Sequence, residues 1–186
     1  MANRNTQGFG LVPAGTLGQT PATSGTGKYK IDAGYATTIF HGGAVASSAG
    51  YIIDGQTTDA PILGVLNGIF YNAATTLKPT FSNHYVQVTP ANSEDIDAFV
   101  FDNPQQQYVV ATDDSVAQSG YLETYDMNTS AGSTTTGKSS ATLDIGDTSA
   151  DAASFRLLRS AEDPENDENA AFRSVVVCIN LIELQS

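Results

Sequence analysis

From residue 28 onward, short runs rich in Val, Ile, Tyr, Phe and Thr recur between turn signals, and this punctuation constrains the fold more than any other feature. The runs cover 29–31, 37–40, 50–53, 62–71, 85–89, 97–101, 107–112 and 155–159, with 174–184 as the longest and most β-branched. Such residues fit a pleated, half-buried surface. Between them stand His41-Gly42-Gly43, Asp54-Gly55, Asn67-Gly68, Asn83 and Asn103-Pro104. Asp54-Gly55 and Asn67-Gly68 read as tight turns because both residues of each pair tolerate positive φ. Helix is confined to one or two short turns, at 115–121 (capped by Asp113, Asp114 or Ser115) and at 139–143, both too short to stand alone. No repeat of about 20–50 residues is visible. Short strands at close spacing with few helices predict an all-β fold, a compact β-barrel or sandwich.

The 186 residues suit one domain with an appendage, which buries roughly 70% of its unfolded surface without needing disulfide staples. Residues 1–27 form the appendage and 28–186 the β-rich body. Gly8, Gly10, Gly15, Gly18, Gly25 and Gly27 alternate with Pro13, Pro21 and Thr-rich stretches, which disfavours helix and central strand alike. The segment nevertheless carries Phe9, Leu11, Val12 and Leu17, which a mere linker does not need. The expectation is an extended arm that lays these four side chains, as partner-binding anchors, on a neighbouring surface; a loose tail is the bland alternative.

Charge narrows the partners. The formal net charge is -12, and the eight cations are Lys28, Lys30, Lys78, Lys138, Arg4, Arg156, Arg159 and Arg173. Phosphate neutralisation needs clustered Lys and Arg, so neither nucleic acid nor an anionic membrane surface is an expected partner. No apolar run approaches the ~20 residues of a membrane-spanning helix. Residues 1–10 are polar, without the apolar core of an export signal. The single cysteine, Cys178, lies in an apolar run and reads as a buried, inert thiol.

Catalytic constellations are weak. His41 and His84 are the only histidines and lack metal-ligand spacing, so turn histidines are the expectation. There is no Gly-flanked nucleophile elbow and no histidine after His84. Two acids among the 20 could meet as a glycosidase pair, but the chain has no Trp to provide the flat platform on which sugars stack. Oxygen side chains at 163, 165, 167 and 169 alternate as in a calcium loop. Glu168 stands where an EF-hand loop turns on Gly, and Ser174 where it needs a bidentate Glu. A solvated hairpin loop is the simpler reading, with an irregular calcium site as the alternative. Gly25-Thr26-Gly27-Lys28 is followed by Tyr29, which does not match a phosphate-binding loop. No enzyme activity, cofactor or metal is expected.

Four stretches carry a family likeness: Gln7-Gly8-Phe9-Gly10-Leu11-Val12-Pro13; residues 63–71, Leu63-Gly64-Val65-Leu66-Asn67-Gly68-Ile69-Phe70-Tyr71; residues 135–143 with Thr136-Gly137-Lys138; and Phe155-Arg156-Leu157-Leu158-Arg159. Together they resemble the small decoration, or cement, proteins on the heads of tailed bacteriophages, particularly of aquatic phages. The resemblance implies a β-rich body with an extended arm. It implies a virion protein on the outer capsid surface, a homotrimer or similar cluster that binds the major capsid protein and stabilises capsomers. It carries no catalytic residues. The competing class is a phage or cell-surface receptor- or glycan-binding module, which predicts an outward aromatic cluster drawn from Tyr29, Tyr35, Tyr51 and Tyr121.

Overall fold

The computed structural model describes residues 3, 5–18, 25–55, 61–128, 132–146, 154–167, 169–180 and 182–185. In chain order the strands are β1 (Val12–Thr16), β2 (Gly27–Ile31), β3 (Ala44–Ser48), β4 (Tyr51–Asp54), β5 (Gly64–Asn72), β6 (Pro79–Ser82), β7 (Ile96–Phe101), β8 (Gln106–Ala111), β9 (Thr124–Tyr125), β10 (Met127–Asn128), β11 (Thr142–Leu143), β12 (Phe155–Ser160) and β13 (Ser174–Ile179). Short 3-10 turns stand at Ala91–Ser93, Gln118–Gly120 and Glu183–Gln185. The fold is all-β, as the residue pattern predicts. One sheet runs β1-β8-β13-β12-β9; a second runs β2-β7-β5-β3-β4, with β6 on the far half of β5; β10 and β11 pair separately. All of these ladders are antiparallel.

Side-chain alternation assigns the faces. In β7, Ile96, Ala98 and Val100 are buried while Asp97, Phe99 and Phe101 are half-buried. The buried set joins Ile31, Val45, Ile52, Leu66, Ile69 and Tyr85 in one core. The opposite face of the same sheet gives Ala44, Val65 and Phe101 to the other core, with Leu11, Tyr108, Leu157, Val175 and Val177 of the first sheet and its flanks. The second sheet is therefore a middle layer over part of its area. β13 is buried along its whole length, as befits a central strand rich in valine.

Several expectations change in detail. Asn67-Gly68 is no turn: it sits inside β5 at a register shift between Leu66 and Gly68, a bulge that keeps Leu66 and Ile69 on the same core face. Runs 37–40 and 85–89 reduce to one bridge, in which Ile39 and Tyr85 exchange backbone hydrogen bonds of 3.0 and 2.8 Å. The segment 139–143 is extended, not helical. The Ala141 carbonyl accepts from Gly10 N–H and the Leu143 carbonyl from Asp113 N–H, so these backbone groups go to neighbours instead of to a helical turn. The run from 174 ends as a strand at Ile179, and β5 with nine residues is longer. The β3–β4 hairpin closes on Ala49 and Gly50, both at positive φ.

The N-terminal segment proves to be woven into the body where it is described. β1 pairs with β8 from Val12↔Val109 to Thr16↔Gln106. Just before it, Gly10 adopts φ +74, and a Cβ there would come within 2.8 Å of the Gly42 carbonyl oxygen. Leu11 N–H donates to that carbonyl at 2.8 Å, so only glycine allows this close backbone crossing. Upstream, the Asn3 amide donates to the carbonyls of Asp167, Ala170 and Ala171. The segment laces the β12–β13 loop, the extended stretch 139–141 and the turn at Gly42 together.

Leu11 is 1% exposed. Leu11→Ala is therefore expected to cost about 2–5 kcal/mol, whereas Val12→Ala, at an exposed position, is expected to cost under about 1 kcal/mol. Urea unfolding of the two variants measures the difference.

Candidate interaction surface

The four side chains expected to anchor an arm separate into two groups. Leu11 belongs to the chain's own core and is not available to a partner in this conformation, and Phe9 is half-buried. Val12 and Leu17 are 47% and 40% exposed at the β1 edge of the first sheet. The pattern of apolar residues among glycines marked Leu11, which the fold buries in the chain's own core. It carried no information on whether the contacts of such residues lie within the chain or outside it.

Register defines the outer face of the first sheet. One cross-strand row reads Val12, Val109, Val176, Arg159, and the next Gly15, Gln107, Cys178, Arg156, Thr124. Neither row contains an acid. Arg159 donates to the Gln107 side-chain oxygen at 3.3 Å, and Arg156 to the Leu122 carbonyl at 2.8 Å and the Asn180 side-chain oxygen at 3.1 Å. Among the described residues both guanidinium groups are thus held by neutral oxygens. Leu122 beside Arg156 is 62% exposed and has φ +68, a left-handed conformation that costs a leucine roughly 1 kcal/mol or more. Its N–H is fixed by the Leu157 carbonyl at 2.8 Å.

The second sheet carries an aromatic outer patch. Lys30, Asp97, Phe70 and Phe81 stand in one cross-strand row, and Lys28, Phe99 and Gly68 in the next. Because Gly68 has no side chain, Phe81 leans across it to Phe99, with ring centroids 6.1 Å apart. Phe81 remains 63% exposed. Lys28 and Lys30 reach Asp97 at 2.7 and 2.6 Å. Burial pushes the Asp97 carboxyl up, but the two ammonium groups outweigh it and the net shift is down. Beside this row lies an open groove of about 280 Å³ lined by Phe70, Tyr71, Pro90, Glu94 and Asp95 together with the ion-paired Lys30 and Asp97.

The residues considered for chemistry lie apart. His41 Nδ1 hydrogen-bonds the Asn67 carbonyl at 2.9 Å. His84 stacks on Phe40 with an 8° interplanar angle, and burial lowers its pKa. In the acidic loop, Asp163 and Asp167 accept from the N–H groups of Glu165 and Asn169, each two residues on. No group of three or more His, Cys, Asp or Glu suited to a metal is found among the described residues. A cleft of about 450 Å³ between Val116, Tyr125 and Ile145 has Glu123 as its one lining carboxylate among the described residues. Of the four tyrosines of the glycan reading, Tyr29 and Tyr35 pack against the core of the second sheet and Tyr121 against the shared core. Tyr29 donates to Asp102, Tyr51 to Asp95, Tyr35 accepts from Asp54 N–H, and Tyr121 lies under the Arg173 guanidinium. Cys178 is buried, and burial raises its thiol pKa against the opposing pull of Arg156. No family model, curated protein or solved structure matches the chain.

Burial, followed by the hydrogen bond to Asp102 and its charge, pushes the Tyr29 hydroxyl from 10.0 up to about 12. The folded state thus holds this proton more tightly than the unfolded state. The associated stability is present below the ordinary tyrosine value and is lost as pH rises through about 12. Tyr29→Phe is expected to flatten the alkaline decline of stability, measured by urea unfolding across that range, and to remove one high-pH step from the phenolate absorbance titration, leaving that of the more deeply buried Tyr108.

Proposed function

We propose that the chain is a structural decoration protein that binds the outer surface of an assembled phage head and stabilises contacts between capsomers. Its partners in this reading are the major capsid protein and neighbouring copies of itself in a homotrimer, on the outer capsid surface of the virion. The observation that carries the reading is the rigid, exposed apolar edge at Val12 and Leu17, held by the β1–β8 ladder and the Leu11 anchor. The family likeness noted in the sequence supplies the partner.

The physics of such a role is simple. A protein that binds the assembled shell and not its separate subunits stabilises assembly by mass action. Burying a valine or leucine side chain contributes about 1.5–3 kcal/mol. An edge already fixed in a sheet loses little conformational freedom on docking. Repetition over symmetry-related copies converts a modest contact into high occupancy.

Removing residues 1–27 would strip β1 and Leu11 from the body, so point substitutions at the exposed edge are the informative variants. Wild-type protein is expected to co-sediment with undecorated shells, and Val12→Asp with Leu17→Asp to lower the apparent affinity by about tenfold or more. Wild-type protein that stays in the supernatant at every concentration would sink the reading.

A further inference from the structure

The cleft of about 450 Å³ beside β9 has no role in the shell-binding reading, yet it has the size of a small-ligand site. Its floor is apolar. Val116 and Tyr125 are 6% and 2% exposed, and Ile145 is half-buried. The Tyr125 hydroxyl donates to the Gly120 carbonyl at 3.0 Å, which leaves the ring as apolar surface. Exposed Ser115 and Ser119 add hydroxyl groups to the lining, and Glu123 adds its carboxylate. Among the described residues that carboxylate has no ion pair and no hydrogen bond, and no cation lines the cleft. Arg173 is buried against Val116, whose carbonyl accepts from it at 3.3 Å, and Arg156 is engaged by the Leu122 carbonyl and Asn180.

The backbone beside the carboxylate is strained. Leu122 holds φ +68 while its side chain is 62% exposed, so little apolar burial offsets the cost. Two hydrogen bonds lock the Leu122-Glu123 pair. Leu122 N–H donates to the Leu157 carbonyl at 2.8 Å, and Leu157 N–H to the Glu123 carbonyl at 3.0 Å. Strained backbone held by its surroundings gathers at ligand sites. Here it fixes a carboxylate without a counter-charge at the wall of an apolar cleft.

We infer that this cleft binds a primary ammonium group carried on an apolar stem, the chemistry of a lysine side chain or of a small alkylamine. An ammonium donates three hydrogen bonds, and its bond to a carboxylate is charge-assisted. Val116, Tyr125 and Ile145 match the stem. An anion would meet Glu123 with no lining cation to offset it, and a neutral ligand would desolvate the carboxylate without pairing it. The inference is independent of shell binding, because it concerns the isolated protein.

Nuclear magnetic resonance of the isotope-labelled full chain tests it, with n-hexylammonium, n-hexanol and n-hexanoate as probes. Hexylammonium is expected to shift the amide signals of Gly120, Thr124 and Tyr125 along saturable curves, with binding weakened as salt is raised. Hexanol and hexanoate are expected to bind at least about tenfold more weakly. Glu123→Gln is expected to weaken hexylammonium binding at least about tenfold. Glu162→Gln, at an exposed acid of the β12–β13 loop, is expected to leave it unchanged. Ala117→Trp keeps the carboxylate but fills the cleft from its exposed wall, and should abolish binding. Circular dichroism of each variant should retain the β signal, because the substituted positions are exposed. A short acetylated peptide with one lysine between alanines distinguishes the sources. Saturable shifts at the same amides assign the cleft to a lysine of a partner chain, and their absence beside hexylammonium binding assigns it to a small amine. Equal binding of the three probes would overturn the inference. So would shifts that never saturate, or hexylammonium binding untouched by Glu123→Gln.

Discussion

The short ladder that sets Ala44 opposite Val65 is where the two cores of the molecule meet, and the rest of the architecture depends on it. Ala44 and Val65 face the core shared with the first sheet, while their neighbours Val45 and Leu66 face the core enclosed by the second. A strand with apolar residues on both faces cannot lie at the surface, so this part of the second sheet has to be a middle layer. The bulge at Asn67 then holds the phase of β5 through its far half. It keeps Ile69 in the core and turns Phe70 outward, next to Phe81.

That constraint explains why the exposed groups lie where they do. Once the first sheet covers Val65 and Phe101, the remaining area of that face has no layer over it among the described residues. Phe70, Phe81 and Phe99 occupy this area with the Lys28–Asp97–Lys30 group. The first sheet in turn spends one face on the shared core and leaves the other to Val12, Val109, Arg156 and Arg159. Both surfaces are held by ladders, so association there would order little that is not already ordered.

Most of the strands were legible in the residue pattern. The run 97–101 marks a strand by composition, though Phe99 and Phe101 left its buried face to the structure, and the valines of β13 mark a strand buried along its length. What escaped the pattern has specific causes. Asn67-Gly68 has the composition of a hairpin turn, yet the flanking apolar residues continue the strand on both sides and the pair is absorbed as a bulge. Residues 139–143 carry small side chains that suit a helical turn, but their backbone groups bond to Gly10 and Asp113, partners far away in sequence. The candidate surfaces were less legible still. Phe81 reaches Phe99 only because β6 and β7 flank β5 at the level of Gly68, and Arg156 and Arg159 share a face only because Leu158 lies at a register shift.

The sequence by itself determined the class of the fold, the acidic surface and the apolar side chains set among the N-terminal glycines. Each of these follows from local composition and from periodicity along one strand. Tertiary structure alone decided which of those side chains turn inward. Leu11 turns inward because the glycines at 10 and 42 let two backbones cross closely. Val12, one residue on, faces outward because neighbouring residues of a strand point to opposite sides. Which side is solvent depends on the strand it pairs with, and β8 lies some ninety positions away.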